Sequence, residues 1–326
     1  MIVSSVLSAL LLGLFPVSLE SPFASVDPLA LIDVAPPAAQ IDIAHRLSAS
    51  GAIVIDLKTG QTLFSLQGNV ERPMASLTKL MTALLIVEHH DLDTWVPVPQ
   101  TIAQTKGSLA YLAPGEEYRA GDLLSALLIP SANDAAVTLA RFHSGTESTF
   151  VEEMNARAKA LGLTSTQYAN PSGLDDPRQW STPRDIALLS AYVQRFPEIS
   201  TRMGRRSQII MSRQGHALTL THTHALVLRR DPAILAGKTG TTTAAEQCLV
   251  SIVQKGKTEY AVVLLHSMQR YRDMQTILGS LLGPDATTIT PVQETECTLG
   301  AGAGGGCRAE EAKTTTDIDQ QIIPTP

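Results

Sequence analysis

A serine and a lysine three positions apart, Ser76 and Lys79, offer nucleophilic chemistry at the head of an apolar, helix-patterned run. A helix would place the two side chains one turn apart on the same face. A serine hydroxyl becomes a nucleophile when a neighbouring base takes its proton, and a lysine amine can be that base if burial or another cation lowers its pKa. The spacing alone is weak, because about one chance match is expected in a chain of this length. An isolated pair would simply be a helix cap followed by a solvated lysine.

A second polar motif, Ser131-Ala132-Asn133, follows Pro130 in a loop predicted between two helices. Such a loop can point a hydroxyl and an amide into a cleft, free of the hydrogen-bonding constraints inside a helix. On its own the motif would be interpreted as a helix cap, and either Ser131 or Asn133 could also cap the helix predicted from Asp134. The motif gains chemical meaning only beside the first one.

The third motif, Lys238-Thr239-Gly240, is expected to open an apolar strand. Its lysine would supply a fixed positive charge that attracts a substrate carboxylate and lowers the pKa of a neighbouring lysine. Gly240 would let a ligand backbone approach the strand edge closely. A copy of the same three residues, at 58–60, is expected in a hairpin turn where glycine supplies a positive φ. We therefore assign the chemistry to the copy at Lys238.

Ser-x-x-Lys, Ser-x-Asn and Lys-Thr-Gly in this order are the signature of penicillin-recognising acyl-serine enzymes. Beyond these motifs, the chain resembles the D-alanyl-D-alanine carboxypeptidases, which are low-molecular-mass penicillin-binding proteins of the S11 class of serine peptidases. The resemblance covers about residues 45–283. The matching stretches are residues 72–84, 122–136, 170–174, 180–185 and 236–240.

The resemblance implies a role for each motif residue. Ser76 would attack the carbonyl carbon of a D-Ala-D-Ala bond and form an acyl-enzyme, and Lys79 would take the serine proton. Ser131, with Lys238 near it, would relay a proton to the departing D-alanine, and Asn133 would hydrogen-bond the substrate amide. Water would then hydrolyse the acyl-enzyme.

The resemblance also implies how the substrate would be held. Backbone N–H groups of Ser76 and Thr241 would form the oxyanion hole, and Thr239 would bind the terminal carboxylate. Arg272 would help on a looser match, with a surface helix-capping arginine as the competing interpretation. The sequence departs from the family pattern at Ala132, Ala245-Glu246 and His224. The change at Ala132 is minor, and the other two departures concern substrate preference rather than the acyl-serine chemistry.

Composition argues against several other functions. The formal net charge is −6, the sequence pI is about 5.8 and aromatic residues make up 4% of the chain, which argues against the basic surfaces and stacking platforms that bind nucleic acid. No cysteine and histidine cluster has metal-ligand spacing, so we expect neither a metal nor another cofactor. Cys248 is expected in the core, whereas Cys297 and Cys307 could close a loop in an oxidising compartment. The resemblance implies peptidoglycan stem peptides ending in D-Ala-D-Ala as partners and β-lactams as inhibitors.

We divide the chain into four segments. Residues 1–24 begin with an uncharged apolar run and are predicted to be a signal peptide or an N-terminal membrane anchor, although the usual basic start is missing. Residues 25–44 read as a Pro/Ala-rich linker, residues 45–283 as the D-Ala-D-Ala peptidase domain and residues 284–326 as a disordered tail. We therefore expect an exported, extracytoplasmic protein, with any membrane contact made through the N-terminus.

The predicted fold class is α/β (α+β), because strands occur at both ends of the domain with helices between them. We expect one antiparallel sheet whose terminal strands meet, with helices on its faces and an all-helical subregion, as in the penicillin-binding-protein and β-lactamase-like transpeptidase fold. Strands are predicted at 52–56, 62–65, 207–211, 217–221, 239–253 and 260–266. Helices are predicted from residue 76 and at 122–128, 134–142, 150–161, 183–196 and 271–282.

Three alternative functions stay open. A class A β-lactamase needs a carboxylate that activates the deacylating water. Glu152 and Asn155 offer Glu-x-x-Asn, but inside an amphipathic helix whose glutamates should face solvent. A D,D-endopeptidase would use the same residues on the same bond type in peptidoglycan cross-links. A non-catalytic cell-wall-binding relative would keep the fold, and the three intact motifs argue against it.

Overall fold

The computed structural model describes residues 43–282, and within them the predicted combination of an antiparallel sheet with helices is confirmed. The signal or anchor segment at 1–24, nearly all of the linker at 25–44, the tail at 284–326 and the pair Cys297 and Cys307 lie outside the described residues. The strands are β1 (Gly51–Asp56), β2 (Thr62–Leu66), β3 (Trp95–Pro97), β4 (Glu117–Arg119), β5 (Ser207–Met211), β6 (Ala217–Thr221), β7 (Ile234–Thr242), β8 (Glu246–Lys255) and β9 (Thr258–Ser267). The helices are α1 (Lys79–His89), α2 (Ala120–Leu128), α3 (Asn133–Ser144), α4 (Glu147–Ala160), α5 (Pro183–Val193), α6 (Pro197–Met203), α7 (Ala225–Leu228) and α8 (Arg270–Leu282).

The central sheet has the strand order β2-β1-β9-β8-β7, and all of its neighbouring strands are antiparallel. The first and last strands of the domain meet as predicted, with Ile53 opposite Val263. Residues 52–55 of β1 are all buried, so both faces of this strand are covered, because successive side chains point to opposite faces. Helix α5 packs on β1 and β9, and α8 packs on β8 and β9. Strand β7 stands at one edge of the sheet.

The helical subregion is organised around α1. Residues 79–86 of this helix are all buried, as expected for a helix that is apolar nearly all round. Helices α2, α3, α4, α5 and α6 all contact it. This enclosure gives a rigid support to the residue at its first position, Lys79.

Several predicted element boundaries were wrong. The helix predicted from Ser76 begins as a 3₁₀ turn at Ala75–Thr78, and the α-helix starts at Lys79. The strand predicted for 239–253 is two strands, β7 and β8, so Lys238 lies in the middle of β7 and does not open a strand. The short elements β3, β4, α6 and α7 were not predicted, because three to seven residues are too few to show a periodic pattern.

Candidate active site

Ser76 lies in the turn before α1, and Lys79 opens the helix. The Lys79 Nζ donates a hydrogen bond to Ser76 Oγ over 3.0 Å. It also donates to Asn133 Oδ1 over 2.6 Å and to the backbone carbonyl of Ser172. Because Lys79 is fully buried, these three acceptors fix its amine against the serine.

Burial lowers the pKa of Lys79 to about 7, and the nearby carboxylate of Asp134 opposes this shift. A neutral amine keeps two N–H groups, which can donate hydrogen bonds to Asn133 Oδ1 and Ser172 O, and its lone pair then faces the Ser76 hydroxyl. Of the two causes considered from the sequence, burial and a neighbouring cation, burial is the one that lowers the pKa here. At neutral pH a large share of Lys79 is in the form that can act as a base.

A second buried contact joins the other two motifs. Lys238 Nζ donates to Ser131 Oγ over 2.5 Å and to the Thr239 carbonyl over 2.8 Å. Ser131 has a left-handed backbone with φ 64°, a costly conformation for a residue other than glycine. Burial lowers the pKa of Lys238, and the positive charges of Lys79 and Arg270 lower it further. The protonation of Lys238 is therefore disfavoured by the charge on Lys79.

Asn133 connects Lys79 to the loop before β4. Its Oδ1 accepts from Lys79 Nζ, and its Nδ2 donates to the Lys106 carbonyl over 2.7 Å. Helix α3 begins at Asn133 itself, and neither Ser131 nor Asn133 caps it with a side chain. The capping role considered from the sequence is therefore absent, because both side chains bind lysines instead.

Gly240 has a different structural role from the predicted one. A Cβ atom at this position would lie 2.9 Å from Ala75 Cβ and 3.0 Å from Ser76 N. The absence of a side chain therefore lets the turn that carries Ser76 pack directly on β7. We predicted that a ligand backbone would use this space, whereas the structure shows the chain's own turn in it. Gly173, with φ 90°, is needed in the same way, because its Cβ would lie 2.0 Å from the Ala75 carbonyl oxygen.

Thr239 and Thr241, both predicted to contact substrate, lie two residues apart on β7. The hydroxyls of Thr239 and Thr223 share a 2.6 Å hydrogen bond. Thr241 Oγ1 accepts a 2.7 Å hydrogen bond from Arg270, whose guanidinium also donates to the Gly240 carbonyl. Neither Thr223 nor Arg270 was singled out from the sequence, because their contacts with β7 are made by segments distant along the chain.

The arginine that hydrogen-bonds to β7 is Arg270, and the substrate contact expected of Arg272 stays a prediction. Arg272 is exposed, and its guanidinium donates to Gln269. Helix α8 begins at Arg270, and helical residues two apart point about 200° apart, so the two arginines face different surroundings. The sequence contained a signal in this closely spaced pair. Which of the two arginines faces β7 depends on how the first turn of α8 is held. Here Asp273, in that turn, accepts hydrogen bonds from Ser48.

Two other segments considered from the sequence, residues 58–60 and 152–155, lie apart from the active-site residues. Lys58 is exposed in the turn between β1 and β2, where Gly60 has φ 72°, as predicted. Glu152 is exposed, and Asn155 exchanges hydrogen bonds with the Tyr168 backbone. The Glu-x-x-Asn segment therefore gives no carboxylate to Ser76. Within residues 43–282, no group of side chains is arranged to hold a metal ion.

Edge strand β7 of the antiparallel sheet contains the buried Lys238, and the turn that carries Ser76 and Lys79 packs on this strand. This combination defines the class of penicillin-recognising serine enzymes. The sequence profile of the peptidase S11 family, described as D-alanyl-D-alanine carboxypeptidase, matches residues 37–268. The chain therefore belongs to the D-alanyl-D-alanine carboxypeptidase family of serine peptidases, and the resemblance inferred from its motifs is confirmed.

Relatives of known name agree with this family. The carboxypeptidase DacF of Bacillus subtilis is 33% identical over 240 residues, which cover 72% of this chain but 61% of that protein. The chain thus spans less than two thirds of the length of this relative. The carboxypeptidase DacB2 of Mycobacterium tuberculosis is 33% identical over 245 residues, covering 72% of this chain and 83% of that protein. The D-alanyl-D-alanine endopeptidase of Escherichia coli is 32% identical over 251 residues, covering 75% and 80%.

Solved structures agree with the predicted fold. The crystal structure of a D-alanyl-D-alanine carboxypeptidase from Mycobacterium tuberculosis has a TM-score of 0.68 at 29% identity, covering 77% of this chain and 96% of that chain. The Streptomyces K15 DD-transpeptidase has a TM-score of 0.67 at 23% identity, covering 72% and 96%. The second likeness shows the fold alone. Both support the transpeptidase fold expected from the sequence.

Proposed function

We propose that the chain is a serine-type D-Ala-D-Ala carboxypeptidase, which removes the terminal D-alanine from peptidoglycan stem peptides and is inhibited by penicillins. The observation that carries this proposal is the 3.0 Å contact between Lys79 Nζ and Ser76 Oγ, accompanied by the contact between Lys238 and Ser131. The first contact supplies a base and a nucleophile. The second supplies a route for the proton that the leaving group needs.

In the acylation step, the neutral amine of Lys79 takes the Ser76 proton while Oγ attacks the carbonyl carbon of the terminal peptide bond. The backbone N–H groups of Ser76 and Thr241 would hold the oxyanion, each donor contributing about 3 kcal/mol to transition-state stabilisation. Gly240 supports this placement, because it brings Ser76 N against β7. Asn133 would offer its Nδ2 to the substrate amide carbonyl in place of its present backbone acceptor.

Collapse of the tetrahedral intermediate breaks the C–N bond, and the departing amine then needs a proton. Ser131 would relay to it, through Oγ, the proton that Lys79 took from Ser76, while Lys238 Nζ stays hydrogen-bonded to that oxygen. Thr239 and Arg270 would hold the carboxylate of the departing D-alanine. Arg270 thus takes the role that the sequence had suggested for Arg272.

Hydrolysis by water frees the acyl group from Ser76 and completes the reaction. Because the segment with Glu152 gives no carboxylate to the site, we expect a penicilloyl group on Ser76 to persist. Incubation with labelled penicillin tests this expectation. A stable adduct supports a penicillin-binding carboxypeptidase, whereas fast hydrolysis without an adduct would favour the β-lactamase alternative.

A second candidate is D,D-endopeptidase activity on peptidoglycan cross-links, favoured by the 32% identity to the Escherichia coli relative of that name. Both activities would use the same residues on the same bond type. Digestion of purified muropeptides separates them, because free D-alanine indicates a carboxypeptidase and split dimers indicate an endopeptidase. A wild-type protein inactive on every D-Ala-D-Ala substrate would favour the non-catalytic alternative.

We further propose an extracytoplasmic location, with export directed by residues 1–24, any membrane contact through this segment, and the peptidase domain at 45–283. Within residues 43–282, no helix is long and apolar enough to cross a bilayer. N-terminal sequencing of the protein from fractionated cells tests the proposal. A new N-terminus after the first segment indicates a cleaved signal, and an intact start in the membrane fraction indicates an anchor. Recovery from the cytoplasm alone would contradict export.

A further inference from the structure

The loop at residues 170–174 supplies the carbonyl that binds Lys79 and is wound around one side chain, that of Asn170. Asn170 Oδ1 accepts hydrogen bonds from three successive backbone N–H groups, those of residues 172–174, over 3.2, 2.7 and 3.1 Å. It also accepts from Ser172 Oγ over 3.1 Å. The residue in between is Pro171, which has no N–H group. One amide oxygen therefore binds every backbone donor from residue 171 to residue 174.

Side-chain nitrogen atoms close the same loop. Asn170 Nδ2 donates to the Leu174 carbonyl over 2.9 Å, and Nε2 of the buried Gln179 donates to the same carbonyl over 3.1 Å. Gln179 Oε1 accepts from the backbone N–H groups of Ala169 and Asn170 over 3.1 and 3.3 Å. Residues 170–174 belong to no helix or strand. Two side-chain amides therefore satisfy backbone groups that a regular element would otherwise pair.

Two carbonyl groups of the loop point at the first turn of α1. The Pro171 carbonyl accepts from Thr82 Oγ1 over 2.7 Å, and the Ser172 carbonyl accepts from Lys79 Nζ. Both donor residues are fully buried. Because they are three positions apart, they lie on the same face of the helix. The direction of the Ser172 carbonyl thus depends on how Asn170 winds the loop.

This direction matters for the lone pair of Lys79. The neutral amine has two N–H groups and one lone pair in staggered positions around its nitrogen. A single acceptor, Asn133 Oδ1, would leave two positions for the lone pair. The Ser172 carbonyl, as second acceptor, selects the position that faces Ser76 Oγ at 3.0 Å. Both acceptors are therefore needed to aim the base at the nucleophile.

We propose that Asn170 is a positioning residue for the reaction, which winds the loop so that the Ser172 carbonyl directs the lone pair of Lys79 at Ser76. The inference rests on the proposed function, in which Lys79 is the base. The action of Asn170 is indirect, through the Ser172 backbone, whereas Asn133 bonds to the lysine itself.

Asn170→Ala removes the amide around which the loop is wound. We expect its acylation rate constant at saturating penicillin to fall about tenfold to a hundredfold, the cost of a small misplacement of a reacting group. The dissociation constant of the noncovalent penicillin complex should stay at the wild-type value, because Asn170 acts on the base. Stopped-flow acylation over a range of penicillin concentrations separates these two constants. The measurement belongs at about pH 9, where Lys79 of the wild type is neutral.

Asn155→Ala is the matched control, because it removes a similar amide two residues away from the loop. Asn155 Oδ1 accepts from Tyr168 N over 2.8 Å, and its Nδ2 donates to Tyr168 O over 3.0 Å. Its loss should lower the melting temperature, as the loss of Asn170 does. The acylation rate constant of Asn155→Ala should nevertheless stay close to that of the wild type. A merely structural role for Asn170 would make the two variants behave alike.

Asn170→Asp is the conservative variant. A carboxylate has about four lone-pair sites, so it can keep the N–H donors of residues 172–174 and should recover most of the acylation rate at high pH. Its negative charge also favours the ammonium form of Lys79. The midpoint of the pH profile should therefore move above the wild-type value near 7. The charged groups that already act on Lys79 are Asp134 and Lys238, and neither is changed in these variants.

Wild-type acylation by a folded Asn170→Ala, or an equal loss in Asn155→Ala, would overturn the proposal. If Asn170→Ala does not fold, Asn170→Asp decides alone. A carboxylate that holds the Ser172 backbone has to act on Lys79, so an unchanged midpoint in this variant would also overturn the proposal. A wild type that penicillin never acylates would remove the proposed function as well. An acylated wild type with unaffected Asn170 variants would remove the positioning role alone.

Discussion

At the scale of single residues, the fold holds a lysine partly uncharged beside a serine. Burial lowers the pKa of Lys79 from its ordinary value of 10.5 to about 7. Asn133 and the Ser172 carbonyl accept hydrogen bonds from its amine, and Ser76 Oγ lies 3.0 Å from the same nitrogen. A base with this pKa can take a serine proton at neutral pH without being protonated most of the time.

We predict that the rate constant for acylation of Ser76 rises with pH through a midpoint near 7. Below the midpoint Lys79 is protonated and has no lone pair for the serine proton, and above it the amine is neutral. The measurement is the rate of penicillin acylation between about pH 5 and about pH 9, a range in which an arginine stays charged. Lys79→Arg is therefore the control and should not acylate. A flat profile in wild type would exclude Lys79 as the base.

The two arginines at the start of α8 give a matched pair of substitutions. Arg270→Ala should lower kcat/KM for a D-Ala-D-Ala peptide about tenfold to a hundredfold, the loss expected for one charged hydrogen bond to a carboxylate. Arg272→Ala should stay close to wild type, because Arg272 is exposed and contacts Gln269. Steady-state kinetics of both variants decide the point. A larger loss in Arg272→Ala would restore the original prediction.

At the scale of elements, the site depends on how closely the turn at Ala75–Thr78 packs on β7. Gly240 makes this approach possible from the strand, and Gly173 makes it possible from the loop on the other wall. The neighbouring atoms at both positions include backbone, which cannot move aside as a flexible side chain can. The position of Ser76 against β7 therefore depends on the lack of a side chain at Gly240 and at Gly173.

We predict that Gly240→Ala lowers the acylation rate about a hundredfold, because a small displacement of a nucleophile costs this much. The added Cβ would lie 3.0 Å from Ser76 N and would push the turn away from β7. Penicillin acylation and thermal melting should be measured together. Gly256→Asn is the control, since a Cβ there meets open space and asparagine tolerates its φ of 61°. Wild-type acylation by a folded Gly240→Ala would show that the packing is not needed.

The long helices and strands and the three active-site motifs could be predicted from the sequence, whereas contacts between segments far apart in the sequence could not. The hairpin of β1 and β2 follows from two short apolar runs joined through Gly60, and these signals are local. The three motifs indicated which residues should meet. The role of Gly240, the contact of Thr223 and the choice of Arg270 depend on packing between segments far apart in sequence. Local patterns contain no information on such distances.

At the scale of the whole molecule, two histidines between β6 and β7, His222 and His224, are buried in their neutral form. Burial lowers the pKa of His222 to about 4, with help from the charge of Lys238. Burial also lowers the pKa of His224 to about 3, and the positive charge of Arg270 acts in the same direction. His224 hydrogen-bonds Ser251 over 2.8 Å. The fold therefore excludes protons that these residues would bind in the unfolded chain.

We predict that the free energy of unfolding decreases as the pH falls from about 6.5 to about 4. In this window the unfolded chain protonates its histidines near their ordinary value and the folded chain does not, so protons stabilise the unfolded state. His222 alone should contribute about 3 kcal/mol of this loss. Urea titrations of wild type and His222→Asn at several pH values give the measurement. The variant should show the weaker pH dependence, and parallel curves would contradict the prediction.

The most direct test of the proposed chemistry is the site of the penicilloyl group. After incubation with penicillin, mass spectrometry of the intact protein and of its peptides should show one persistent adduct, on the peptide that contains Ser76. Ser76→Ala should show none while keeping its melting temperature. An unmodified wild-type protein after the penicillin has been consumed, or an adduct on a different residue, would contradict the assignment of Ser76 as the nucleophile of a penicillin-binding carboxypeptidase.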